Sequence, residues 1–384
     1  MLWLCGYDLV AALGVLFLFV FNDQGRDLLR ISAEQLWSWW NLMFLLGTAA
    51  LALTLWYTAR LLLGREFTSY PLNLSNAPHR QRWLPRVFGV SVPLSVAIGL
   101  MRIESDLYQP QIWILAGVYL VLAVLVFELF RRRRKWLGVP AAEMIETRAV
   151  RLEGWHLVLV WGAGVVSFVL LVAFLIWPVW LPQGLGAPAI VMLGFAGIVL
   201  FGSMVLTYSF LAFGQPAATA LALMLAVVFG LWIDNHPVRL ADEAQRVSRS
   251  SPERHYAEWR RAHPDYTPID GREPVILVAA AGGGIRAAYW TATNLAAMEK
   301  LPSFGENLFA ISGVSGGSLG AATYTALRQT LGTERPTLLE EKVREVLERD
   351  FLSPIVAGLL FPDLAQRFIP VSIRAADRQR FLEL

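Results

Sequence analysis

Ser315 stands between glycines in the stretch Gly313-Val314-Ser315-Gly316-Gly317, and about thirty residues before it runs Ala281-Gly282-Gly283-Gly284-Ile285-Arg286-Ala287. A serine hydroxyl is a poor nucleophile until a base takes its proton. It must also project from the fold, which a sharp strand-to-helix turn achieves at the cost of crowding the backbone two residues away on either side. Gly313 and Gly317 meet that condition around Ser315, and Gly316 completes the elbow. The turn leaves Ser315 at a helix N-terminus, where main-chain amides favour developing negative charge. A tetrahedral intermediate needs such donors, and losing one typically costs about 10²–10³ in kcat. Gly282, Gly283 and Gly284 can aim several N–H groups into one concavity, because glycine reaches backbone conformations closed to other residues. Arg286 would hold that loop in shape or face a lipid phosphate. The chemistry these residues suit is acyl transfer through Ser315, with an oxyanion hole of Gly282, Gly283, Gly284 and Arg286.

These residues need elements to hold them. Residues 274–280 form a continuous apolar run, as expected of a buried parallel strand. A helix is expected over 285–300, a second strand over 307–312, a helix over 318–330, and further helices over 337–350 and 351–361. That order opens a three-layer α/β domain with a parallel sheet. No histidine occurs in 264–384, so a Ser-His-Asp triad with His after the serine cannot be assembled, and the base must be something else, a carboxylate being the obvious one.

The domain stands behind a membrane region. The chain has 384 residues, is 56% hydrophobic and only 16% charged, a composition typical of membrane proteins. Residues 1–233 carry 15 basic and 11 acidic side chains, and 234–384 carry 18 and 19, so the net charge of +3 arises in the membrane loops. A near-neutral C-terminal part argues against a nucleic-acid partner. Cys5 is the only cysteine, which excludes an intrachain disulfide and a thiolate-rich metal site. About 20 apolar residues are needed to cross a bilayer. Seven segments approach this: 2–21, 36–57, 87–101, 110–130, 157–177, 188–211 and 216–233, the third being short and interrupted by Pro93. Trp37, Trp39, Trp40, Trp155, Trp177 and Trp232 mark their ends, as an interfacial aromatic belt does. Asp8 lies within the first segment. A mid-membrane carboxylate costs roughly 2.5–3.5 kcal/mol, so Asp8 is expected near an interface or protonated.

Arginine sets the orientation. Arg131-Arg132-Arg133-Arg134-Lys135 follows the fourth segment, and Arg60, Arg65, Arg80, Arg82 and Arg86 lie between the second and third, so both loops are expected in the cytoplasm. Residues 154–233 carry no Asp, Glu, Lys or Arg and fit three crossings with turns at Pro182–Pro188 and Gly214–Pro216. Three crossings put residue 234 outside. Arg239, Arg246, Arg249, Arg254, Arg260 and Arg261 follow directly and favour the inside. The two signals conflict, and the side of the C-terminal domain stays open at this point. Residues 234–273 read as a polar juxtamembrane linker with a short helix near 252–262, and His236, His255 and His263 within it as surface residues.

The loop and elbow together resemble the patatin-like phospholipase family, over roughly 274–330 and on toward the end of the chain. Gly282, Gly283, Gly284 and Arg286 match that family's oxyanion loop, and Ser315 between Gly313 and Gly317 matches its nucleophile. The resemblance implies a Ser-Asp dyad, lipid ester substrates and no metal or organic cofactor. Ala281 replaces a usual acidic residue, and Ala287 a frequent glycine. The family's aspartate lies in a D-G-G or D-G-A motif well beyond the serine. Only Asp350, Asp363 and Asp377 follow Ser315, none precedes glycine, and 69 residues remain after Ser315. The dyad aspartate is therefore expected outside these residues, the chain being part of a longer protein or a degenerate homologue.

The resulting expectation has three parts: an all-α multi-span membrane region over 1–233, a linker over 234–273, and an incomplete patatin-like α/β domain over 274–384. The protein would be integral to a bacterial inner membrane and would take membrane lipids as substrate. The rival readings are an inactive hydrolase fold serving as a sensor or scaffold, a dinucleotide loop at Gly282-x-Gly284-x-x-Ala287, and a transporter built around Asp8 and Glu128. The dinucleotide reading lacks the acid expected to close the next strand, where Ser312-Gly313-Val314-Ser315 stands instead.

Overall fold

The computed structural model describes residues 2–63, 77–137, 155–237, 251–262, 274–332 and 336–383. They divide into two compact units, Met1–Pro237 with Phe351–Leu384, and Val238–Asp350.

The first unit is helical. A short 3₁₀ turn, Leu2–Cys5, leads into α1 (Gly6–Leu16), which widens over Phe17–Phe21 and is followed by α2 (Asp23–Glu34). The two parts meet at 74°. Asn22 is extended and caps α2 by accepting from the Gly25 amide at 3.0 Å. A Cβ on Gly25 would lie 1.8 Å from the Leu18 carbonyl oxygen, so the bend closes only on glycine. Then come α3 (Trp39–Leu63), α4 (Ala77–Met101), α5 (Gln109–Leu137), α6 (Trp155–Ile176), the short α7 (Trp180–Leu185), α8 (Ala187–Phe213) and α9 (Ala217–Trp232). Among the described residues, five helices are long and apolar enough to cross a membrane, over Trp39–Leu63, Trp83–Met101, Gln109–Arg132, Val158–Ile176 and Ala187–Phe210; the bent pair at the start would make six. These features mark the chain as a membrane protein. The interrupted segment at 87–101 is a full helix despite Pro93. The first segment bends after Phe21. The last, α9, has 16 residues and none buried, a length of about 24 Å. The seven expected segments are thus five long helices, one bent pair and one short helix. Trp37, Trp39, Trp40, Trp177 and Trp232 are all exposed, as belt positions should be.

Side-chain contacts fix which helix ends share a side. At one end, Trp56 of α3 stacks on Phe130 of α5 with ring centroids 4.4 Å apart. Gly89 of α4 also meets Phe130, since a Cβ there would lie 2.5 Å from its ring. The same end holds Arg131 and Arg132, which both pair with Glu128. Thr58 and Leu62 of α3, Val160 of α6, and Ser203 and Tyr208 of α8 line one cleft there. At the opposite end, Trp40 of α3 donates to the Gln183 carbonyl of α7 at 2.8 Å, and Gly47 lies against Ala189 and Met192 of α8.

The chain after Asp350 returns to this opposite end. The helix Leu352–Gly358 opens the return, and residues Phe361 and Ala357 are buried with Phe174 of α6 and Ile190 of α8. Phe361 meets Phe174 edge-on at 4.9 Å, and Gly194 leaves room for Leu360. The turn into α9 is tied by Ser209, whose hydroxyl donates to the Gln215 carbonyl and accepts from the Ala218 amide. At the far end of α9, Gly230 lies against Arg367. His236 follows, with Nδ1 2.8 Å from Asp377 and Nε2 3.4 Å from Asp363, both aspartates buried. α9 therefore runs back along the unit, so residues 155–237 cross it three times. The chain leaves at Pro237 and returns at Phe351 on the end opposite Arg131 and Arg132.

The second unit begins, among described residues, with α10 (Pro252–Ala262). Then follow β1 (Ile276–Ala280), α11 (Gly284–Met298), α12 (Phe304–Asn307), β2 (Leu308–Gly313), α13 (Gly316–Leu331) and α14 (Pro336–Leu347). The chain continues in the first unit with α15 (Leu352–Gly358), α16 (Leu364–Gln366) and α17 (Arg380–Glu383). β1 and β2 pair in parallel, with Ala280 opposite Gly313. Ile276, Val278, Leu308 and Ile311 pack on Ala292, Leu295, Tyr324, Leu339 and Val343 from α11, α13 and α14. Phe309 of β2 is met instead by α10, through Trp259 at 5.4 Å and Tyr256 at 5.5 Å.

The two expected strands form a small parallel sheet, which does not by itself show a patatin-like domain. Other expectations change. Residues 351–384 do not continue that unit, because their apolar side chains are buried on α6 and α8. The helix at 252–262 forms as expected, but it packs on Phe309 and is not a free linker. His236 likewise is held between two buried carboxylates rather than lying free on the surface; His255 packs its ring 5.6 Å from Phe309, and His263 lies outside the described residues.

Emptying the edge-to-face contact tests the return of the C-terminal segment. Phe361→Ala is expected to lose about 2–4 kcal/mol of packing. Limited proteolysis of the intact chain should then cut faster at Arg367 and Arg374, with no change in cleavage within α3–α5.

Candidate active site

β1 ends at Ala280, and the chain passes through Ala281, Gly282 and Gly283 into α11. β2 ends at Gly313, and Val314 and Ser315 lead directly into α13. The parallel pairing runs to the last residues of both strands, and the Val314 amide donates to the Ala280 carbonyl at 3.1 Å. Sheet pairing therefore extends into the turn and brings the two glycine stretches together.

Ser315 has φ 52° and ψ −123°. Among the described residues only Ser303 shares a positive φ without being glycine. Such a conformation stores about 1–3 kcal/mol and persists only where the surroundings enforce it. The enforcing contacts are on both sides. The Ser315 carbonyl accepts from the Ser318 amide at 2.9 Å and the Leu319 amide at 3.2 Å, which starts α13, while the Gly317 amide donates to the Val314 carbonyl at 3.0 Å. Ser315 is exposed, and the first two residues of the helix behind it are buried.

The glycines are dictated by distance. A Cβ on Gly316 would lie 1.9 Å from the Gly284 carbonyl oxygen. On Gly317 it would lie 2.6 Å from the carbonyl oxygens of Ala280 and Ala281, and on Gly313 2.6 Å from the Ser318 amide nitrogen. A Cβ on Gly282 would lie 3.2 Å from Cβ of Ser315, which puts the loop backbone beside the serine. Gly283 and Gly284 have φ of 152° and 62°, values that L side chains rarely adopt. Gly282, Gly284, Gly313, Gly316 and Gly317 thus form one tight backbone crossing around Ser315. Gly283 shapes the loop. Arg286 sits on the exposed first turn of α11, past the crossing.

No dyad partner accompanies the serine. Among the described residues, no hydrogen bond joins the Ser315 hydroxyl to a histidine or a carboxylate. Asp363 and Asp377 belong to the other unit, where Asp377 meets His236, and Asp363 faces His236 and accepts from Gln366 and Arg378. The groups available for chemistry are therefore a lifted hydroxyl, main-chain donors beside it, and open surface. Among the described residues, no group of histidine, cysteine, aspartate and glutamate could hold a metal ion.

One supporting cluster was not legible in the sequence. Glu299, just past α11, pairs with Arg328 of α13 at 2.6 Å and accepts from the Tyr324 hydroxyl, while Arg328 donates to the Gly305 carbonyl at 3.1 Å. It joins the far ends of the two helices that follow the glycine turns. Burial first, then the Glu299 carboxylate, push the Tyr324 hydroxyl well above the usual phenol range. Only the spacing of Tyr324 and Arg328, one helical turn apart, hinted at a shared face.

No protein-family description, characterised protein or solved structure matches this chain.

The strain at Ser315 can be measured against its neighbours. Ser315→Gly is expected to raise stability by about 1 kcal/mol by relaxing the positive φ, whereas Ser315→Ala should not. Gly316→Ala should destabilise this unit strongly, because backbone, not a movable side chain, blocks the added methyl group. Thermal unfolding of the intact protein in detergent orders the three variants.

Proposed function

We propose that the chain is a membrane-anchored serine acyl hydrolase of the patatin-like phospholipase kind, acting on lipid esters. The observation that carries this reading is Ser315, exposed in a strained strand-to-helix turn with the Gly282 backbone beside its Cβ. In the reaction the Ser315 oxygen attacks the ester carbonyl carbon. Its proton passes to a carboxylate base, as the resemblance implies. The carbonyl π pair moves to the oxygen, where amides of the Gly282–Gly284 loop and of the first turn of α13 stabilise it. The pair returns as the ester C–O bond breaks, the base gives its proton to the leaving alcohol, and water repeats the sequence to free the acid. A bilayer-anchored hydrolase keeps its substrate at high effective concentration.

The orientation follows from charge. Arg131 and Arg132 mark the cytoplasmic end of the helices, and Pro237 and Phe351 lie on the opposite end. We infer that the second unit works on the non-cytoplasmic face, with the bacterial inner membrane as the setting.

A second reading is an inactive hydrolase fold serving as a scaffold or sensor. It is favoured by the lack of a base bonded to Ser315 among the described residues.

Labelling of the full chain in membranes with a fluorophosphonate probe separates the two. The hydrolase reading expects an adduct on Ser315 that Ser315→Ala abolishes; an unlabelled protein, or equal labelling of the variant, would refute it. For the orientation, Ser251→Cys and Arg132→Cys are made separately in a chain whose buried Cys5 is replaced by alanine. An impermeant maleimide added to intact cells should label the former and spare the latter.

A further inference from the structure

Asp8 is fully buried in α1, in the interior of the membrane unit. Its Oδ1 lies 2.5 Å from the Thr58 hydroxyl of α3, and its Oδ2 has no hydrogen-bond partner. Among the described residues, no cationic side chain pairs with it. The titratable groups near it are the buried Cys5 thiol on the preceding turn and the neighbouring Tyr7 hydroxyl. From α8 comes the backbone at Gly202, against which the Tyr7 ring packs. From α4 comes a stretch, Val87–Met101, with no charged residue.

The Thr58 hydroxyl has one proton and two close acceptors. Besides Asp8, it lies 2.7 Å from the Thr54 carbonyl of its own helix. A threonine inside a helix commonly gives its proton to that i−4 carbonyl. With that proton on the Thr54 carbonyl, the Thr58 oxygen is free to accept one from a protonated Asp8 across the same contact. An ionised carboxylate here would have neither a counter-charge nor a second donor, the costliest arrangement in an apolar interior. Thr58 also lines a cleft of about 30 Å³ with Val160 of α6 and Ser203, Thr207 and Tyr208 of α8. That space admits a water molecule. The Ser203 hydroxyl is buried and unpartnered, while Tyr208 is 48% exposed. Four hydroxyl-bearing residues, Tyr208, Thr207, Ser203 and Thr58, thus line the cleft, and Thr58 also touches the acid.

We propose that Asp8 is a proton-binding site of the membrane unit, a neutral carboxylic acid that exchanges its proton with water in the cleft between α3, α6 and α8. On release the Asp8 O–H bond breaks and its electron pair stays on the carboxylate. Thr58 turns its O–H from the Thr54 carbonyl to a cleft water, gives that proton to the water and takes the Asp8 proton at its oxygen, so charge moves while the hydroxyl is regenerated. The ligand is a proton, and the cleft lies toward the helix ends that carry Arg131 and Arg132.

Dicyclohexylcarbodiimide, an apolar reagent that adds to protonated carboxyl groups, tests this on the full chain in phosphatidylcholine vesicles. The expected result is an adduct mapped by mass spectrometry to Asp8, forming at a rate that falls about tenfold per pH unit above a midpoint. Asp8→Asn, which preserves shape and donor, should fold and lose the adduct. Thr58→Val should keep the fold and move the midpoint, which a purely structural hydroxyl would not do. A folded wild-type chain with no adduct at Asp8 at mildly acidic pH, or an adduct indifferent to pH, overturns the proton site. An unmoved midpoint in Thr58→Val overturns the relay.

Discussion

The Gly284 carbonyl oxygen lies so close to Cα of Gly316 that no side chain fits between them, and the parallel register of β1 and β2 is what forces the approach. With Ala280 opposite Gly313, both strands end at one level, and both chains must turn into helices in the same small volume. Three further carbonyls and amides then crowd Gly313 and Gly317. Ser315, exposed like Val314 before it, points out of the elbow at a positive φ that its helix-starting hydrogen bonds hold in place. Strain, glycine identity and exposure of the hydroxyl are consequences of one backbone crossing.

The membrane unit relies on close approach too, but with a different outcome. Gly25 and Gly99 bring backbone to backbone at the bend after α1, Gly89 seats Phe130, and Gly194 seats Leu360. In lipid, apolar helices gain little from hiding apolar surface, so packing at small residues and internal hydrogen bonds must hold them together. Asp8 with Thr58, and His236 with Asp363 and Asp377, are the polar ties added to that packing. The second of these joins the exit of α9 to the returning C-terminal segment. Along the chain, the α/β unit falls between the two parts of the membrane unit.

Length and apolar content made the long helices legible, and Pro93 did not stop α4, because a neighbouring bundle tolerates a proline that an isolated helix would not. The bend after Phe21 was not legible: it depends on Gly25 meeting Leu18 and on the Asn22 cap. The conflict over the side of residue 234 was a conflict between two local signals. Contacts between residues far apart in sequence, Gly230 with Arg367 and Phe174 with Phe361, decide only which helix ends lie together. Residues 351–361 read as one more helix of the C-terminal domain because an apolar helical pattern says that a face is buried, not against what.

The sequence by itself determined where glycine is obligatory, where strands and helices alternate, and which stretches can live in lipid. Those are properties of short segments, set by backbone sterics and by transfer of side chains from water. Tertiary structure alone decided that Asp363 and Asp377 hold His236, that Asp8 rests on a threonine fifty residues away, and that the last thirty-four residues rejoin the membrane helices. Each of those depends on which surfaces meet, and a buried charge or ring takes its partner from whatever the fold brings within reach.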